Sequence, residues 1–243
     1  KFEKIKTSLQ IPLFQNRSLQ NKKIKLYQAS IINNSWKFEE LEGKINEEFI
    51  LLEGIDNNKI YFLANQEDKV KFKNNTLVNC NNFTNTFPAF RSNLKIYLEN
   101  GGFSSYQSEY PFDMIEKKGS ILTPISTLLN LNADKNYLIF KNIYKDPIKQ
   151  EFNGYFIDIK NKKILYEIKF FTNTTNYVEL EKSLIKPEIY LCTRNYLGIP
   201  IYLSIKDKHL SFEHTHPPHE YFFGKKKFKN VKTLKERINE IFN

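Results

Sequence analysis

Arginine, cysteine and glycine are all scarce in this chain of 243 residues, and each scarcity excludes some chemistry. Arginine occurs only at Arg17, Arg91, Arg194 and Arg237, so lysine carries nearly all of the formal net charge of +10. A guanidinium reads phosphate or guanine through two parallel hydrogen bonds, whereas a lysine offers a point charge. The basicity therefore predicts general attraction to anionic surfaces and no specific nucleic-acid partner. Two cysteines, Cys80 and Cys192, are too few for a disulfide framework, and no C-x-x-C pair is present for zinc or redox work. With only eight glycines, the chain has neither a phosphate-binding glycine loop nor a dinucleotide fingerprint. Apolar runs such as residues 49–52 and 199–203 are far too short for a transmembrane segment. The N-terminal "KFEKIKTSLQIPLF" lacks the apolar core and cleavage site of a secretory signal, so the expected location is cytoplasmic.

What is present is an apolar content of 40% and an aromatic content of 15%, enough to build a packed core. These residues fall in short β-branched and aromatic runs separated by Asn, Asp and Gly. In the N-terminal part, residues 22–32, 47–55, 59–66 and 69–80 read as strands, with "GIDNNKI" as a hairpin connection. Beyond residue 117 the spacing becomes regular, with strands expected over 136–144, 154–160, 163–170, 176–180, 188–194 and 199–205. "DIKNKKI" and "RNYLG" read as tight connections between neighbours in that series. The expected fold is mainly β: an antiparallel β-sandwich of immunoglobulin-like size, preceded by an N-terminal β region and closed by a C-terminal helix. The expected division places the N-terminal region at 1–116 and the sandwich with its helix at 117–243. Val231, Leu234, Ile238 and Ile241 recur at helical spacing, and "TLKE" from Thr233 to Glu236 reads as a capping box. "PISTLLNLN" (124–132) is a weaker helical segment.

All four histidines lie in one stretch, "HLSFEHTHPPHEYFF". Read as a strand reaching His216, it places Leu210, Phe212, His214 and His216 on one face. His209, Ser211, Glu213 and Thr215 then take the other. Same-face neighbours along a strand stand about 6.5–7 Å apart, so His214 and His216 can lean onto one ion. Pro217 and Pro218 end the strand in a stiff corner that offers His219 or Glu220 as a third ligand. Zinc, iron or manganese are the metals such a set would take, with an open position for water or substrate. Glu109 and Glu213 are the expected general bases. The spacing H-x-H-x3-E from His214 to Glu220 is similar to the first metal motif of cupins, which implies metal ligation by those residues. The likeness spans seven residues, lacks that motif's flanking glycines and is followed by no second motif, so the chain is not assigned to that family. The alternative for the cluster is a solvated strand end.

A second feature is "ENGGFSSYQSEYPF" (99–112), read either as an ordinary long connection between β layers or as a loop whose rigid aromatics and adaptable polar groups suit a binding surface. Arg91, Gln107 and Glu109 would make polar contacts there, and Tyr106 and Tyr110 would stack. Two functions follow. One is a metal-site protein that acts on a polar small molecule or saccharide. The other is a non-catalytic carbohydrate- or protein-binding module that uses residues 99–112.

Overall fold

The computed structural model describes residues 5–12, 24–46, 49–65, 92–108, 115, 119–214 and 229–243. The protein is mainly β, with four antiparallel sheets and an α-helix at the C-terminal end, as the strand-rich sequence requires.

Two four-stranded sheets form the C-terminal sandwich. One has the order β12 (Lys163–Phe171), β11 (Glu151–Asp158), β14 (Ile189–Thr193) and β9 (Ile121–Pro124). The other has the order β13 (Thr174–Glu179), β10 (Lys135–Asn142), β15 (Ile199–Lys206) and β16 (His209–His214). Their inner faces enclose one apolar cluster that includes Leu138, Phe140, Phe156, Phe170 and Leu191, all fully buried. Phe140 and Phe170 stack at 5.0 Å with only 7° between their planes. Tyr202 is buried among them, and its hydroxyl is satisfied by the Thr123 hydroxyl at 3.0 Å and the Pro124 carbonyl at 3.1 Å. Burial pushes that phenol well above its ordinary pKa, so it stays a neutral donor.

Six expected strands of the sandwich coincide with β10 to β15. The connection "DIKNKKI" is the hairpin of β11 and β12, with Asp158 opposite Lys163. Asp158 accepts from the Lys160 and Asn161 backbone N–H groups and from the Asn161 amide, and Lys162 takes a φ of 51°. "RNYLG" differs from expectation: it carries the chain from β14 in one sheet to β15 in the other, with Asn195 at φ 65°. "PISTLLNLN" is not helical. Pro124 ends β9, the Ile125 N–H donates to the Ile189 carbonyl, and Asn130 turns the chain by accepting from the Asn132 N–H. Buried asparagines serve these sheet crossings. Asn142 donates to the Leu197 carbonyl at 2.6 Å, and Asn176 accepts from Phe171 N–H while donating to the carbonyls of Phe140 and Phe171. A side-chain amide carries both a donor and an acceptor, so it replaces a missing ladder bond in either direction.

The N-terminal part forms two further sheets. A five-stranded sheet has the order β4 (Lys44–Asn46), β5 (Phe49–Glu53), β1 (Ile5–Pro12), β7 (Ser92–Leu98) and β8 (Phe103–Ser108). A three-stranded sheet has the order β3 (Ser35–Leu41), β2 (Ile24–Ile32) and β6 (Ile60–Asn65). The β2–β3 hairpin turns on Asn33 and Asn34, both at positive φ, which matches the right-handed twist of its strands. "GIDNNKI" is not a hairpin, because β5 and β6 belong to different sheets. Gly54 at φ +66° and the Asp56 turn make a corner between them. The expected strand over 69–80 lies outside the described residues. Leu9, Ile11, Leu26 and Ile50 form the core between these two sheets.

The inner face of the five-stranded sheet also meets the sandwich. Ile96 and Tyr106 pack with Tyr137, Ile139, Ile201, Leu203 and Phe212 on the outer face of the β10–β15–β16 sheet. One apolar cluster therefore bridges residues on both sides of position 116. On the opposite side of the sandwich, helix α1 (Lys229–Phe242) sets Ile238 against Ile157 and Cys192. It begins before Thr233, so Thr233 and Glu236 fall inside the helix and not at its cap. Among the described residues no helix is long and apolar enough to cross a membrane.

Candidate functional site

Strict alternation along β7 and β8 divides the five-stranded sheet into two chemically different faces. Leu94, Ile96 and Tyr106 point into the shared core. Asn93, Lys95 and Tyr97 of β7 and Phe103, Ser105 and Gln107 of β8 occupy the other face. Register aligns them into rows across β1, β7 and β8. Gln10, Asn93 and Gln107 form a row of amides, and Ser8, Lys95 and Ser105 form the next. Lys6, Tyr97 and Phe103 form a third row, which is aromatic at one end. Amides, hydroxyls, a lysine and two rings thus lie side by side on a regular sheet.

The exposure along these rows is uneven. Phe103 is 64% exposed, the most exposed of the large apolar side chains described. Lys95 Nζ lies 4.1 Å from its ring centroid and 5.8 Å from that of Tyr97. Lys6 is engaged by Glu99 at 2.8 Å, and each holds the other's charged form: the lysine pKa is raised and the glutamate pKa lowered. Among the described residues no carboxylate stands within ion-pair distance of Lys95. Phe103 gains little from packing where it sits, because a ring that exposed has left most of its area in water.

A tight turn holds this surface in place. "ENGGFSSYQSEYPF" is a turn followed by β8 over its first ten residues, and not the long loop its composition suggests. The Leu98 N–H donates to the Gly102 carbonyl at 3.1 Å, and the Gly102 N–H donates to the Lys208 carbonyl at 2.7 Å. A Cβ at Gly101 would stand 2.6 Å from that same carbonyl. Glycine is required there by the close approach of the β15–β16 turn. Ser104 adds a second tie, accepting from the Phe212 N–H at 3.2 Å and donating to its carbonyl at 3.4 Å. One hydroxyl serves both backbone groups of the β16 edge.

The residues expected from sequence distribute as follows. Tyr106 is 6% exposed and belongs to the core, at 5.0 Å from Phe212 and 4.9 Å from His214, so its ring has little surface to offer a ligand. Gln107 is exposed on the outer face. His214 ends β16, half-buried, on the same side as Leu210 and Phe212, as alternation requires; Glu213 and His209 are exposed on the other. His209 opens β16 and stands about 17 Å along the strand from His214 at ordinary strand rise, so the two do not meet. Arg91, Glu109, Tyr110, His216, His219 and Glu220 lie outside the described residues. Among the described residues no three His, Cys, Asp or Glu side chains come together as a metal site. Lys95, Tyr97 and Phe103 were not anticipated, although "NLKIYL" and "FSSYQ" alternate in the way that places them together.

The chain matches no family model, and the comparisons with curated proteins and with solved structures gave no match.

Proposed function

We propose that this protein is a non-catalytic binding module that holds a hydroxyl-rich ligand, a saccharide chain, against the outer face of the five-stranded sheet. The observation that carries the reading is the exposed Phe103 ring beside Tyr97 and Lys95, in register with the Ser105 and Gln107 rows. The C–H face of a sugar ring packs on an aromatic face, and its hydroxyls need partners that both donate and accept. Gln10, Asn93 and Gln107 meet that need through their amides. Their placement on strands, tied to a second sheet at Gly102 and Ser104, keeps them preorganised and lowers the ordering cost of binding.

Electrophoresis through gels containing neutral polysaccharides (hydroxyethylcellulose, xylan, galactomannan) tests the reading. The protein should be retarded by at least one polymer. Phe103→Ala and Tyr97→Ala should abolish the retardation, while Tyr166→Ala, exposed on the other part of the molecule, should preserve it. Migration unaffected by every polymer, or a Phe103→Ala variant retarded like the parent, would sink it.

One observation favours the metal reading as the second. His214 projects from the Leu210–Phe212 face, as a ligand pair with His216 demands. Its partners and metal would be zinc, iron or manganese with His216 and His219 or Glu220. Metal analysis of untagged protein purified without chelator decides it, since near-stoichiometric metal lost in His214→Ala supports the site and metal-free protein rejects it.

A further inference from the structure

The sequence contains two Asn-Gly pairs, Asn100–Gly101 and Asn153–Gly154. A glycine after asparagine leaves the backbone nitrogen unobstructed for attack on the asparagine side chain. Sequence alone gives both pairs the same chemistry. We propose that Asn100 is a site of spontaneous deamidation, and that the fold protects Asn153 from the same reaction.

The reaction needs only water. The Gly101 nitrogen, losing its proton, bonds to Cγ of Asn100 as the Cγ–Nδ2 bond breaks and ammonia leaves. Water then opens the resulting succinimide at either carbonyl, giving aspartate or isoaspartate. The net change is amide plus water to carboxylate plus ammonium. No oxidant, reductant or cofactor enters.

The two sites differ in exposure, in side-chain hydrogen bonding and in backbone pairing. Asn100 and Gly101 are exposed in the β7–β8 turn. Among the described residues nothing hydrogen-bonds the Asn100 carboxamide. The Gly101 N–H has one backbone partner, the Leu98 carbonyl, at 3.3 Å, near the long limit for such a bond. Asn153 is pinned instead: its oxygen accepts from Lys169 Nζ at 2.7 Å, and its nitrogen donates to the Tyr155 hydroxyl at 3.3 Å. Gly154 lies in β11, between β12 and β14, opposite Ile168 and Thr193. A Cβ there would stand 2.5 Å from the Phe170 ring. Bringing the Gly154 nitrogen onto Asn153 would require opening a central strand.

The product has a defined consequence. A carboxylate at position 100 adds a negative charge beside Glu99, the partner of Lys6. The isoaspartate form also lengthens the backbone beside Gly101, where even a Cβ would meet the Lys208 carbonyl at 2.6 Å. The Gly102–Lys208 hydrogen bond at the edge of the aromatic row is the contact it displaces.

The test is incubation of the full chain at mildly alkaline pH and 37 °C, followed by peptide mapping with mass spectrometry and isoaspartyl methyltransferase labelling. The peptide with Asn100 should split into aspartate and isoaspartate forms. The peptide with Asn153 should convert about 100-fold more slowly or less, because its reaction waits on strand opening. In urea-unfolded protein both should convert at similar rates, and Asn100→Gln should remove the label from the folded chain. An Asn100 that stays intact in the folded protein while reacting in urea would overturn the proposal. So would equal conversion at both sites in the folded protein, or labelling of the residue 100 peptide that persists in Asn100→Gln.

Discussion

The core of the C-terminal sandwich and the outer face of the N-terminal five-stranded sheet hold aromatic residues in opposite settings. In the sandwich, Phe140, Phe156 and Phe170 are wholly buried, and Phe140 and Phe170 stack on each other. In the five-stranded sheet, one face supplies Tyr106 to a core and the other leaves Phe103 and Tyr97 beside Lys95. A ring enclosed on all sides contributes to folding through area removed from water and through dispersion contacts. A ring on a wet face contributes little to folding and stays available to solution. The difference separates residues that hold the molecule together from residues that are available for recognition.

Substitutions can break or sharpen that contrast. The largest effect is expected at Phe140→Ala, which should lower unfolding free energy by about 3–5 kcal/mol in urea titrations. Next comes Gly198→Ala, whose Cβ would stand 2.3 Å from the Phe140 ring and 2.7 Å from the Lys141 carbonyl. The ring has room to yield only at the expense of its stack on Phe170, so a loss of about 1–3 kcal/mol is expected in the same assay. Phe103→Ala should change unfolding free energy by no more than about 0.5 kcal/mol while removing polysaccharide retardation. A large stability loss at Phe103 would place it with the core and erase the contrast.

The smallest effect concerns pH at the β11–β12 turn. The Asn161 N–H, with the Asn161 amide and the Lys160 N–H, holds the Asp158 carboxyl below its ordinary value. A folded-state pKa below the unfolded one means that the stabilisation is complete above the ordinary carboxylate range. It is lost as pH falls through the folded value. Urea midpoints measured between about pH 5 and about pH 3 should therefore fall less steeply for Asp158→Asn than for the parent. Equal slopes would remove Asp158 from the account of that turn.

Much of the sandwich was legible because its strands are apolar runs bounded by turn residues. Connections were harder. "DIKNKKI", "RNYLG" and "GIDNNKI" all turn through a residue at positive φ, at Lys162, Asn195 and Gly54. The first makes a hairpin and the other two change sheets. The local backbone turn is alike in each case, and distant pairing decides the outcome. The candidate site was obscured in a different way. Gly, Ser and Tyr in "GGFSSYQS" suggest a loop by composition, yet Phe103, Ser105 and Gln107 alternate with Ser104 and Tyr106 as strand residues do. That alternation buries Tyr106 and exposes Phe103, which composition alone does not distinguish. Periodicity was the better guide there. At β16 it was followed, and the burial of Phe212 with His214 on the same face agrees with it.

The proposed binding surface is the outer face of the five-stranded sheet. The most direct measurement is amide chemical-shift mapping of 15N-labelled protein titrated with cellohexaose, xylohexaose and mannohexaose. At least one of them should shift resonances of Lys95, Tyr97, Phe103, Ser105 and Gln107, leaving the buried strands of the sandwich unmoved. Shifts confined to residues 209–220, or none with any of the three sugars, would contradict it.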